Sequence, residues 1–188
     1  MEHNLEQTMA LLGRTPAALD ALLRGLPETW TGRDEGPGTW SVFDVVGHLI
    51  SGERLDWLPR ARMILNSGES RTFEPFDRSG HLRENQGKTL EQLLDEFARL
   101  RAENLDELRT LNLRQQDMQR RGRHPAFGAV TLSQLLATWA THEPHSPAPD
   151  LEDYGAPVPR SGGSLERVPR GVALFGAQFG LTEGKRCG

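Results

Sequence analysis

The stretch Thr89–Leu111, TLEQLLDEFARLRAENLDELRTL, decides the fold. Leu90, Leu93, Leu94, Phe97, Leu100, Leu105, Leu108 and Leu111 recur at spacings that place them on one face of an α-helix, with charged residues between them. Thr89 and Gln92 stand three apart at its start, the pattern of a capping box. A helix this amphipathic must bury its apolar face against partners.

Candidate partners flank it on both sides. Leu5, Met9, Leu12, Leu19, Leu22, Leu23 and Leu26 keep a helical period, with Pro16 predicting a kink or restart after Thr15. Gly25 and Pro27 end that helix. Ser41 and Asp44 form a second capping box, weaker than one with Glu, ahead of Val42, Val45, Val46, Leu49 and Ile50. Pro59 predicts a kink before Met63, Ile64 and Leu65. Thr131 and Gln134 open a fourth helix carrying Leu132, Leu135, Leu136 and Trp139, which Pro144 cuts short.

Residues 66–88 form a long loop of the functional or mobile kind. The run Arg120–Arg123 reads as a solvated loop. No segment alternates long enough to predict a strand. The expected fold class is therefore all-α, a four-helix bundle with a shortened fourth helix and an irregular Pro/Gly-rich C-terminal tail.

Length and composition agree with one ordinary domain at first. The chain has 188 residues, 36% of them hydrophobic and 26% charged. No run of apolar residues is long enough to span a membrane, and the N-terminus lacks the pattern of a secretory signal. The single Cys187 excludes an internal disulfide framework and a cysteine-rich zinc site. A net charge of −4 argues against nucleic-acid binding. A cytoplasmic protein is expected.

The average conceals a division. Gly and Pro make up 18 of residues 1–143 but 14 of residues 144–188, and all four Trp precede residue 144. The bundle is therefore assigned to residues 1–143 and an irregular tail to residues 144–188.

Two histidines fall on inward rows of different helices. His48 lies in a row with Val45, Gly52 and Leu55, and His142 in a row with Leu135 and Trp139. A lone inward His is more often a core residue than a ligand. Two on facing helices raise the metal reading, since bundle cores build metal sites from facing side chains and imidazole suits zinc and nickel. A third ligand would belong one turn after His142, at position 146, which is Ser146. His145 is the available substitute, flanked by Pro144 and Pro147. Trp40 and Trp139 read as core anchors.

The segments GTWSVFDVVGHLISGERLDWLPRARMIL, FEPFD, KTLEQLLDEFARLRAENL and RRGRHPAFGAVTLSQLLATWATH resemble the DinB/YfiT-like superfamily of small bacterial metal-binding helical bundles. The resemblance covers residues 1–143. It implies a four-helix bundle, often dimeric, with a three-histidine metal site whose first two positions match His48 and His142. It implies a divalent-metal-dependent enzyme, a hydrolase or a thiol-dependent transferase, acting on a low-molecular-weight thiol or another small molecule.

The resemblance stops abruptly after His142-Glu143. A one-base insertion in codon 143 would put residues 144–188 out of frame. Regrouping without that base forces Asp at 143, permits His at 146, and forces Lys or Arg at the Glu152/Asp153 junction. The competing reading is a genuine divergent tail. On either reading the metal site is expected to be incomplete and metal binding weak or lost. The alternative function is a non-catalytic helical module that dimerises; a third is a non-functional gene product.

Overall fold

The computed structural model describes residues 4–142 except 35 and 37. The tail, His145 and Cys187 lie outside the described residues. Helix α1, Leu5–Leu23, starts from Asn4, whose side chain accepts the Gln7 N–H. It runs unbroken through Pro16. The expected restart is absent for a reason supplied from elsewhere. Pro16 cannot donate to the Leu12 carbonyl one turn back, and the Arg101 guanidinium takes that carbonyl instead, at 2.9 Å.

A short α2, Glu28–Thr31, leads to α3, Val42–Leu55, and α4, Trp57–Ser67. Both halves of the Ser41/Asp44 capping box form. The break between α3 and α4 falls at Asp56, three residues earlier than Pro59 alone suggests. The ring of Pro59 would clash with the Leu55 carbonyl, so α3 stops there. Pro59 then sits in the first turn of α4, where a missing N–H costs nothing. The long loop is partly ordered: it holds α5, Gly80–Glu84, and the buried Phe73.

Helix α6, Leu90–Thr110, is capped by Thr89 and Gln92 as expected. The following connection departs from expectation. Arg121–His124 (β1) and Gly128–Thr131 (β2) pair antiparallel in a hairpin, with Arg121 opposite Thr131. Four-residue strands are too short to show alternation, and tertiary contact stabilises them. Gly122 lies so close to Ile64 and Phe73 that a Cβ there would approach them within 2.7 and 2.8 Å. Helix α7, Leu132–His142, carries the apolar face formed by Leu132, Leu135, Leu136 and Trp139.

The described residues are mostly helical, a four-helix bundle with one small sheet among them. Helix α6 packs on α1 and α3, α3 on α4, α4 on α7, and α7 on α1, which closes the ring. One apolar cluster joins Leu12, Leu58, Ile64, Leu108, Leu136 and Trp139; another joins Val46, Ile50, Leu93, Leu94 and Phe97.

A polar layer links the bundle's main helices. Glu53 on α3, 2% exposed, accepts hydrogen bonds from Arg101 Nη2 and Asn104 Nδ2 on α6 and from Trp139 Nε1 on α7, each 2.8 Å long. Arg101 adds the Leu12 carbonyl of α1 and stacks over the Phe97 and Trp139 rings. A buried carboxylate and guanidinium are tolerable only when paired and hydrogen-bonded in this way.

Candidate metal centre

His48 projects from the middle of α3 and His142 from the last described turn of α7. The structure brings their Nε2 atoms within 3.1 Å of each other. The inward row of His48 holds through Gly52 but not to Leu55, which is exposed because α3 ends there.

The pocket around His48 is aromatic and includes a third imidazole that the sequence reading did not name. His81, on α5, lies with its ring 5.6 Å from His48. Trp40 packs on both rings, at 4.8 Å from His48 and 4.7 Å from His81. Trp40 is thus half-buried beside the histidines and belongs to neither apolar cluster, unlike the fully buried Trp139. Phe76 meets the His48 ring edge-on at 5.4 Å, and Trp57 meets His142 the same way at 5.4 Å.

Helix α5 approaches α3 this closely because residue 47 is glycine. A Cβ there would lie 2.4 Å from Asn85 Nδ2 and 3.3 Å from the His81 ring. The sequence signal for His81 was its position in the long loop, but a single His in an irregular segment has no periodicity to reveal its direction.

Electrostatically the site favours neutral imidazole. Burial, helped by the nearby His142, His81 and Arg78, pushes the His48 pKa down from its ordinary value of 6.5 to about 4. Burial also lowers that of His81, against an opposing pull from Asp44. His48 Nδ1 is buried with no hydrogen-bond partner among the described residues, and the His81 ring nitrogens are buried with no more than a weak contact to the Arg78 backbone. Each such atom carries a desolvation cost of about 1–3 kcal/mol.

Neutral, converging imidazole nitrogens are what a divalent cation requires. Tetrahedral zinc with Zn–N bonds of about 2.0–2.1 Å sets two ligand nitrogens about 3.3–3.4 Å apart. The 3.1 Å pair fits two corners of such a site. Among the described residues no three His, Cys, Asp or Glu side chains are grouped to hold a metal ion. His145, the expected substitute ligand, lies outside the described residues.

The fold and this pair define a class: a helical bundle with facing histidines contributed by α3 and α7. The chain belongs to the DinB superfamily, whose family model matches residues 11–145. Among solved structures it is similar to YfiT from Bacillus subtilis, described as "a probable metal-dependent hydrolase with an unusual four-helix bundle topology". The TM-score is 0.64 at 23% identity, covering 75% of this chain and 80% of YfiT. That likeness shows the fold. No curated protein is significantly similar to the chain. No helix among the described residues is long and apolar enough to cross a membrane.

Proposed function

We propose that this chain derives from a divalent-metal-dependent enzyme, with His48 and His142 as two ligands to zinc or nickel. The observation that carries the reading is the 3.1 Å approach of two Nε2 atoms from different helices. The description of YfiT as metal-dependent supports it. When bound, such a metal lowers the pKa of a coordinated water or thiol and so supplies a nucleophile at neutral pH. Hydrolysis, or transfer to a low-molecular-weight thiol, are the two reaction classes that chemistry serves. The aromatic wall of Trp40 and Phe76 around His48 would exclude water from the reacting atoms.

The third ligand belongs at position 146, where this chain has Ser146. We take residues 144–188 as the product of a shifted frame, which removes that ligand and leaves His145 as a poor replacement.

Zinc and nickel titration of the chain beside a version with the frame restored from codon 143 tests both points. The restored chain should bind one metal tightly and lose it on His48→Ala or His142→Ala. The present chain should bind weakly. No binding by the restored chain overturns the metal reading. Tight binding by the present chain that His145→Ala abolishes overturns the damaged-site reading.

A second reading, a non-catalytic dimerising module, draws support from the exposed large apolar side chains of Leu22, Leu26 and Trp30 around the connection from α1 to α2. A metal-free dimer that Trp30→Ala dissociates, in a chain that takes up no metal, would favour it.

A further inference from the structure

We propose that Glu53 is a positioning residue for the His48–His142 pair: it accepts the Trp139 indole N–H and thereby sets the register of α7 against α3. The metal part of its test rests on the reading above.

The packing alone does not determine that register. Helix α7 packs chiefly on α1 and α4, and α3 is not among its principal neighbours. Yet the histidine pair joins α3 to α7. Apolar burial is non-directional, so it permits small slides and rotations of one helix on another. A buried hydrogen bond of 2.8 Å does not.

Trp139 precedes His142 by three residues, close to one turn on the same helical face. Whatever fixes Trp139 therefore fixes His142. A slip of one turn would carry α7 about 5.4 Å along its axis, more than the whole 3.1 Å separation of the two Nε2 atoms.

Glu53 is itself held against movement. Its carboxylate is tied to Arg101 and Asn104 of α6, each through a 2.8 Å hydrogen bond. Asn104 also donates to the Glu53 backbone carbonyl. On the other side, the Trp139 ring lies parallel to Trp57, at 6.1 Å and 9°, and Trp57 abuts His142. The indole is thus clamped by a ring on one side and a fixed acceptor at its N–H. His142 is carried by the clamped helix, and His48 by the helix that holds the acceptor.

The test compares Trp139→Phe with Leu93→Ala. The first keeps a ring against Trp57 but deletes the N–H donor. The second opens a hole in the apolar cluster that excludes Trp139. The first readout is the nuclear Overhauser effect between the His48 and His142 ring protons in metal-free protein. The second is zinc affinity, by titration of the frame-restored chain, with and without each substitution, with Zn²⁺.

Trp139→Phe should lose the imidazole cross-peak and weaken zinc binding about tenfold to a hundredfold, the range seen when groups supporting a ligand are removed. Leu93→Ala should keep both. A cross-peak that survives Trp139→Phe, or one that Leu93→Ala also abolishes, overturns the proposal. If the cross-peak behaves as expected but the frame-restored chain binds no zinc, the metal reading alone falls.

Should Trp139→Phe not fold, the paired change Glu53→Met with Arg101→Met removes the acceptor without stranding a buried charge. It should fold and lose the same cross-peak; retention would overturn the proposal.

Discussion

Two buried polar regions lie within one bundle, and they are built on opposite terms. Around Glu53 the donors and acceptors meet: three side-chain N–H groups converge on one carboxylate, drawn from α6 and α7. Around His48 they meet only in part: His48 Nε2 faces His142 Nε2, His48 Nδ1 has no partner among the described residues, and His81 has no more than a weak contact to the Arg78 backbone. Buried polar atoms in folded proteins are overwhelmingly paired, so a cluster that is not needs a reason. The Glu53 layer specifies how the helices sit. The histidine cluster keeps polar ring atoms out of water with fewer such partners, at a cost in stability.

The largest expected effect comes from breaking the paired region. Glu53→Ala leaves Arg101 buried without its carboxylate and should cost about 3–5 kcal/mol, read as a lowered urea midpoint. That is a large part of the stability of a domain this size. A loss below about 1 kcal/mol would place the pair with ordinary surface bridges and dissolve the contrast.

A smaller effect separates the regions by pH. In metal-free protein the His48 pKa is about 4 when folded, against 6.5 in an ordinary environment. The unfolded chain therefore binds the proton more readily. The contribution of this group to stability is intact above pH 6.5 and is lost as the pH falls from 6.5 toward 4. The urea midpoint should drop across that window, and His48→Leu should flatten the drop. An unchanged slope in His48→Leu would show that His48 is not held neutral by burial.

The smallest effect has the opposite sign. His81→Leu replaces a buried, weakly partnered imidazole by an apolar side chain. It should leave stability unchanged or raise it by about 1 kcal/mol, measured by thermal unfolding. A loss of several kcal/mol, of the size expected at Glu53, would mean that His81 has a partner as firm as those of Glu53.

Much of this was legible in the sequence where the determinants are local. The helical period of Leu90–Leu111, the capping boxes at Ser41 and Thr89, and the helix start at Thr131 appear in the structure as read. The inward direction of His48 and His142 followed from the same period. The hairpin was not legible, because its strands are short and depend on α4 and Phe73 for cover. The partly ordered loop hid His81 for the same reason.

Pro16 and Glu53 mark the boundary most clearly. The chain by itself determined the helices, their caps, their apolar faces and the two inward histidines, because each depends on residues three or four apart. It also determined that Pro16 would orphan a carbonyl. Only the tertiary structure decided that Arg101, 89 positions beyond Leu12, would satisfy that carbonyl and pair with Glu53, 48 positions away. It alone decided that Trp139 would reach the same carboxylate and that His142 would meet His48 across 94 positions. Such partners are chosen by the packing of whole helices, and that choice leaves no periodic trace in any one of them.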